Sequence, residues 1–159
     1  MFENNRISRG TARRFFTVSG RGFIAAMGLL STSVWAEQTQ TFLSVQAGGF
    51  AHNQGQAIAS LFRQGDDVFG TPYVRVTAPI VQGKSTLMFA GIQPGDYALI
   101  VFHDENNNND LDHNFLHLPA EPLGFSNGFE LSLFSGMPSF EKLHFSYTLD
   151  SKPLQISVK

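Results

Sequence analysis

Short runs of alternating apolar and polar residues recur along the chain after about residue 40, and turn-forming residues separate them. This period of two is typical of β-strands, and no long stretch shows the 3.6-residue period of a helix. The alternation predicts seven strands, which cover residues 41–47, 56–63, 73–77, 85–90, 97–103, 141–149 and 154–158.

The strand predicted over residues 97–103 differs from the others because it is apolar on both faces (YALIVFH). Such a run suits a central strand that is covered on each side. Pro94-Gly95, just before it, predicts a hairpin turn, because proline presets φ and glycine accepts positive φ. The pattern as a whole predicts an all-β fold, a single Greek-key β-sandwich of about seven strands. Residues 104–140 are expected to form one long irregular loop over an end or edge of the sandwich.

Composition agrees with this class. The chain has 16 phenylalanines and 15 glycines, and only 15% of its residues are charged. Many aromatic and turn-forming residues with few charges favour an all-β domain over a helical bundle. The chain has no cysteine, which excludes disulfides, zinc-thiolate sites and thiol nucleophiles.

Residues 1–36 have the features of a secretory signal peptide. Five arginines precede an apolar run from Gly22 to Val34, and Val34-Trp35-Ala36 offers a cleavage site. The run is shorter than the roughly 20 residues that span a bilayer. We therefore expect cleavage after Ala36, a domain over residues 37–159, no membrane span after cleavage, and a periplasmic or secreted location. Arg13-Arg14 only partly resembles a twin-arginine signal, so ordinary unfolded secretion is favoured over twin-arginine export.

Cleavage would also change the charge. Six Lys and Arg would remain beside 12 Asp and Glu, which gives a net charge near −6. Nucleic acids and anionic membranes are bound by basic surfaces, so neither is expected as a partner. An envelope protein or a glycan is the kind of partner that we expect instead.

A loop rich in acids and amides follows the central strand and reads HDENNNNDLDHN. The residues at positions 1, 3, 5 and 9 of a D-x-N-x-N-x-x-x-D pattern are Asp104, Asn106, Asn108 and Asp112. Asp110, at position 7, would supply its backbone carbonyl. Calcium takes six to eight oxygens of these kinds, so the spacing predicts calcium as a cofactor. Asn109 stands where an EF-hand has glycine, and asparagine tolerates the left-handed conformation.

The loop departs from an EF-hand at position 12, where Phe115 replaces the bidentate glutamate. Glu105, Glu121 or water would have to complete the shell, and binding in the range of about 10⁻⁴–10⁻³ M is expected. Two alternatives remain open. The loop can be a turn that caps its own backbone amides, or a transition metal can bind through the neighbouring histidines, which are His103, His113 and His117.

One motif matches a catalytic signature by its letters alone. Residues 124–128 spell G-x-S-x-G around Ser126, but a nucleophile elbow needs a preceding strand, a following helix and a large α/β sheet. We expect a glycine-flanked turn there and no enzyme. The loop phenylalanines between Phe115 and Phe129 are expected to cover the core. The alternative is that these aromatic side chains bind carbohydrate or peptide.

Residues 95–127 carry a run of short motifs, which are Gly95-Asp96-Tyr97-Ala98, the His103–Asp112 loop, and Pro119-Ala120-Glu121-Pro122-Leu123-Gly124-Phe125-Ser126-Asn127. This run resembles the exported bacterial family called domain of unknown function 2141. The resemblance implies a transthyretin-like or carboxypeptidase-regulatory-like sandwich and assigns no activity. The sequence therefore predicts an exported, non-enzymatic β-sandwich module of the cell envelope that binds calcium through its Asp/Asn loop.

Overall fold

The structure of the protein is a computed structural model that describes residues 42–116, 118–132 and 134–159. The predicted signal peptide, residues 1–36, lies outside the described residues. The strands are β1 (Phe42–Gly48), β2 (Gln56–Arg63), β3 (Val74–Ala78), β4 (Lys84–Ala90), β5 (Gly95–Asp104), β6 (Leu123–Phe125), β7 (Phe145–Tyr147) and β8 (Leu154–Ser157). A 3₁₀ turn over Ser126–Gly128 and a short helix, α1 (Phe140–Leu143), complete the elements in this part of the chain.

The strands form two sheets that pack face to face as an all-β sandwich, as predicted. One sheet has the order β4-β1-β8, and the other has the order β3-β2-β5-β6 with β7 also paired to β5. β1 and β8 run parallel, whereas the other paired strands are antiparallel. The whole length of β2 pairs with one edge of β5. The opposite edge of β5 pairs with β7 and β6.

The main core lies between the two sheets and follows from the alternation in the sequence. In β1, Leu43, Val45 and Ala47 are buried while their neighbours are more exposed. They face the inward side chains of the opposite sheet, among them Leu99 and Val101 of β5. Each fully buried large apolar side chain contributes about 1.5–3 kcal/mol, so this layer dominates the stability of the sandwich.

A second apolar cluster covers the outer face of β5. Ala98 and Ile100 point away from the main core and pack beneath a cover that comes largely from the segment after β5. The buried members of this cluster are Phe62, Val68, Ala98, Phe125 and Leu143. β5 is therefore covered on both faces, which confirms the interpretation of its two-sided apolar sequence.

β6 closes one side of the sandwich between the two sheets. Leu123 exchanges two backbone hydrogen bonds with Lys159, just after β8, while Gly124 pairs in register with Val101 of β5. A Cβ on Gly124 would lie 2.6 Å from Ile156 Cγ2 and 2.7 Å from the Ser157 carbonyl oxygen. Only glycine permits β6 to approach β8 this closely.

The hairpin predicted at Pro94-Gly95 is wrong. β4 pairs with β1 and β5 pairs with β2, so this connection crosses from one sheet to the other. The positive φ falls at Gly91, and the next residue, Ile92, is buried in the main core. Burial of Ile92 draws the connection across the end of the sandwich, which separates β4 from β5.

The strand predicted over residues 141–149 is correct only in its centre. Residues up to Leu143 form α1, β7 covers three residues, and Leu149 is exposed. The helix lets Leu143 enter the outer cluster while the chain turns back toward β5. The long segment after β5 also contains β6, which the alternation did not predict.

Replacing Gly124 by alanine tests the closure by β6. The added methyl group has no space against β8, so we expect Gly124→Ala to lower the free energy of unfolding by about 1–3 kcal/mol. Gly48→Ala is the matched control, because a Cβ there meets its nearest neighbour, Lys84 Cγ, at 3.9 Å. Urea denaturation measures both variants, and equal stability of the two would contradict this account of β6.

Candidate functional site

The last two residues of β5 point to opposite faces of the second sheet. His103 continues the row of Leu99 and Val101 that faces the main core, and Asp104 continues the outer row of Ala98 and Ile100. Both side chains are fully buried, with relative exposures of 0%. The end of the central strand therefore presents a buried imidazole on one side and a buried carboxylate on the other.

The Asp104 carboxylate holds the start of the Asp/Asn loop. Its Oδ1 accepts the backbone N–H of Asn108 at 3.1 Å, and its Oδ2 accepts the N–H of Asn109 at 3.0 Å. Gln56, its register partner on β2, donates Nε2–H to Oδ2 at 2.7 Å. All three donors are neutral, so they solvate the carboxylate without cancelling its charge.

The other predicted ligands gather around Asp112. Asn106 and Asn108 donate their side-chain amides to the two Asp112 oxygens, at 2.7 and 3.1 Å. The amide oxygens of the same asparagines accept the backbone N–H groups of Asn108 and Asp110, at 2.9 and 2.7 Å. Hydrogen bonds thus bring the three side chains together at the surface, where Asn106 and Asn108 are exposed. The self-capping turn, which is one of the sequence-based alternatives, describes these last two bonds well.

Asp110 contributes differently from the others. Its carboxylate accepts the adjacent Leu111 N–H at 3.0 Å, so the side chain is engaged in its own local turn. The backbone carbonyl is the group that the sequence pattern assigned to this position.

Glu121 joins both ends of the loop and is largely buried, at 7% exposure. Its Oε1 accepts the Glu105 N–H at 3.0 Å, and its Oε2 accepts the Asp112 N–H at 3.2 Å. The spacing within the loop could not reveal this residue, and the sequence offered it only as one way to complete the shell. In the sequence, Glu121 is marked only as the glutamate of the motif that begins at Pro119.

Backbone conformation lets the loop close against β2. Asn109 has a φ of 62°, as predicted for the position that an EF-hand gives to glycine. Arg75 on β3 donates to the Asn109 carbonyl at 3.2 Å. Gly55, with a φ of 79°, lies so close that a Cβ would collide with the Asp104 carbonyl oxygen and Glu105 Cα.

The site carries negative charge that the described residues leave unpaired. Asp104, Asp112 and Glu121 form no ion pair with any lysine or arginine of the described ranges. A carboxylate has about four lone-pair positions, so each of these retains capacity for a cation beside its hydrogen bonds. Carboxylate, amide and carbonyl oxygens are a calcium-type donor set.

Of the histidines predicted as a transition-metal set, His113 is not part of the group of ligand atoms that forms around His103 in the described residues. His113 is exposed, and its backbone forms an isolated bridge with Pro119, while His117 lies outside the described residues. His103 instead faces His52, which lies in the connection between β1 and β2, with ring centroids 4.7 Å apart. The fold, rather than the spacing of the sequence, determines which histidine accompanies His103.

Ser126 lies in the interior and is held by main-chain groups. Its Oγ accepts the Leu99 N–H at 2.9 Å and contacts the carbonyl oxygens of Leu99 and Leu143. The hydroxyl therefore ties β5 to the end of α1 beneath the outer cluster. A nucleophile needs access to substrate, and this hydroxyl is fully buried.

The loop phenylalanines divide into two groups. Phe125 is buried, and Phe129 packs against it with ring centroids 5.3 Å apart, so these two cover β5 as expected. Phe115 and Phe134 are instead exposed, at 89% and 99%. The sequence could not separate the groups, because both lie in irregular segments.

The fold and the site define an all-β sandwich with an acidic, amide-rich loop at the end of its central strand. A family model described as "Uncharacterized protein conserved in bacteria (DUF2141)" matches residues 45–155. The chain belongs to this family, as the motif run indicated; the transthyretin-like description stays a prediction. Comparison with curated proteins and with solved structures gave no match. Within the described ranges, the helices are too short and too polar to cross a membrane.

Proposed function

We propose that the protein is an exported, non-enzymatic β-sandwich module of the bacterial cell envelope, and that its Asp/Asn loop binds calcium. The ion would fix the loop over the end of β5 and stiffen the long segment that follows. Such a module serves adhesion, scaffolding or ligand display, for which a rigid loop surface is useful.

One observation carries the calcium assignment. Three carboxylates, those of Asp104, Asp112 and Glu121, accept hydrogen bonds within one loop, and their donors are all neutral. Asp104 and Glu121 are buried, and buried carboxylates without a cationic partner are costly in free energy. A divalent cation at this loop would remove that cost and would use the remaining lone pairs.

The ligands would come from two places in the chain, residues 104–112 and Glu121. Asp104 and Asp112 would supply carboxylate oxygens, Asn106 and Asn108 amide oxygens, and Asp110 its backbone carbonyl. Rotation of an asparagine amide exchanges its oxygen and nitrogen at little steric cost, so both asparagines can present oxygen to an ion. Glu121 would add carboxylate charge from the segment before β6, in place of the glutamate that an EF-hand has at position 12.

The arrangement of Ser126 supports a non-enzymatic role. Its hydroxyl is engaged with the main chain of β5 and α1, and it is the serine of the G-x-S-x-G letters at residues 124–128. The chain's membership of its family supports a bacterial origin of the module and assigns no reaction.

Calcium should raise the melting temperature of the purified protein. With a dissociation constant of about 10⁻³ M, a calcium concentration of about 10 mM would add roughly 1.4 kcal/mol of stability. For a domain of this size that corresponds to a rise of about 5 °C. Asp112→Asn keeps the shape of the side chain and removes a charge, so we expect it to abolish most of the rise.

Asp150→Asn is the matched control for this experiment, because Asp150 is an exposed acid in a turn away from the loop. It should leave the calcium-induced rise unchanged. If wild-type protein shows no rise in melting temperature at millimolar calcium, the self-capping turn is the correct description of the loop.

Export is tested on the protein made in a bacterial cell. We expect the protein recovered from the envelope fraction to begin at Glu37, because signal peptidase would cleave after Ala36. Intact-mass measurement and N-terminal sequencing show this directly. Ala36→Arg should block cleavage, whereas Ala25→Ser, within the apolar run, should not. Recovery of a cytoplasmic chain that still begins at Met1 would refute export.

A second candidate function rests on the exposed aromatic side chains. Phe115, near the Asp/Asn loop, is almost fully accessible to solvent, and exposed aromatic groups are frequent in carbohydrate- and peptide-binding surfaces. On glycan and peptide arrays, Phe115→Ala should then reduce binding at least about tenfold, and Val81→Ala, an exposed apolar control, should not. Equal binding by wild type and Phe115→Ala would eliminate this candidate.

A further inference from the structure

The imidazole of His103 has a buried nitrogen without a hydrogen-bond partner. Its Nε2 lies 2.7 Å from the Gln54 carbonyl oxygen, in the connection between β1 and β2. Its Nδ1 is buried and has no hydrogen-bond partner among the residues that the structure describes. An unsatisfied buried polar atom costs free energy, so its persistence calls for an explanation.

The contact with Gln54 determines the tautomer of His103. A carbonyl oxygen only accepts hydrogen bonds, so Nε2 carries the hydrogen and donates it. In the neutral ring, Nδ1 therefore presents a lone pair. A histidine that ligates a metal typically donates its other ring N–H to a carbonyl or carboxylate, which fixes the orientation of the ring. His103 is held in this way.

Two further ligand groups face the free Nδ1. Glu105 Oε1 lies 3.8 Å from His103 Nδ1 and 3.2 Å from His52 Nε2. The three potential ligand atoms all lie within 4.8 Å of one another. Ligands about 2.0–2.1 Å from a tetrahedral ion are separated from each other by about 3.3 Å. The two separations that involve Glu105, 3.2 and 3.8 Å, are near this value, and the third is at most 4.8 Å, so shifts of the two half-exposed side chains would place all three groups around one ion.

Local structure builds this cluster from two segments. His103 and Glu105 are two residues apart on β5 and its extension, so their side chains share a face. The connection between β1 and β2 brings His52 onto the same face, and Phe50 packs edge-on against His103 with ring centroids 5.3 Å apart. The positive φ of Gly55 permits this connection to approach Asp104 and Glu105 closely.

We propose that His52, His103 and Glu105 form a transition-metal site for zinc, which shares no ligand with the calcium set of Asp104, Asn106, Asn108, Asp110, Asp112 and Glu121. Two imidazoles and one carboxylate suit Zn²⁺, whereas calcium takes oxygen ligands. His52 and Glu105 are half-exposed, so the ion would lie at the surface with a fourth position open to water. The site depends on neither calcium binding nor export.

Isothermal titration of the purified, untagged protein with zinc chloride tests the proposal. The titration is run with millimolar calcium present, so that the Asp/Asn loop is saturated if it binds calcium. We expect one zinc ion per chain. Loss of a residue that only supports a ligand typically weakens metal binding about 10–100-fold, so His52→Ala and Glu105→Gln should each weaken binding at least about tenfold.

The matched control is His144→Ala, because His144 is a half-exposed histidine that also lies 3.2 Å from a carboxylate, that of Asp96. It should bind zinc like the wild type. Asp112→Asn should also leave zinc binding unchanged, which separates this site from the calcium loop. If zinc binding is lost in His113→Ala and retained in His52→Ala, the proposal is wrong.

Substitution of the buried His103 risks unfolding the chain, so zinc binding by His103 is measured in the wild-type protein by NMR. In a long-range ¹⁵N–¹H correlation spectrum, zinc should shift the Nδ1 resonance of His103 and leave Nε2 in its protonated form. An Nδ1 resonance that does not change when zinc is added would refute the proposal, whatever the titration shows.

Discussion

The coverage of β5 on both faces is the constraint on which the rest of the structure depends. Its inward row packs between the sheets, and its outward row lies beneath Phe125 and Leu143. Because both faces are apolar along most of its length and both are covered, the strand cannot leave the sheet without exposing apolar surface to water. The polar residues at its end are therefore held at fixed positions, with His103 on one face and Asp104 on the other.

The motif run of the family acquires a structural meaning from this arrangement. Gly124 permits β6 to approach β8, Ser126 links β5 to α1, and Asn127 adopts a φ of 58° and donates to the Lys142 carbonyl. These residues build the cover of β5. The polar part of the run, from His103 to Asp112, is the part on which the proposed metal sites depend.

The sequence alone was sufficient to predict strands such as β1, in which buried and exposed side chains alternate, and β5, in which both faces are buried. Their side-chain patterns record their surroundings directly. β6 has three residues with glycine in the centre, and the start of the predicted sixth strand has a pattern that a single helical turn satisfies equally well. Pro94-Gly95 indicated a hairpin where the structure has the start of β5, because strand pairing depends on distant residues that a local turn signal does not record.

In the candidate sites as well, the sequence grouped ligands that are close together in the chain but not those that come from distant segments. The spacing of Asp104, Asn106, Asn108 and Asp112 is local, and the sequence was sufficient to group them. Glu121 and His52 reach β5 from separate segments of the chain, so no spacing rule connects them to it. Only the paired strands and the connection through Gly55 bring them within contact distance.

The parallel pairing of β1 with β8 links the first and last strands of the described sandwich. In a chain that emerges in order from its N-terminus, β1 can pair with β4 early, but its other edge stays unpaired until β8 has appeared. Contacts of such long sequence separation slow folding, because the loop between them must be closed first. Without β8, the first sheet would be a two-stranded ribbon of β4 and β1, and two strands alone are marginally stable in water.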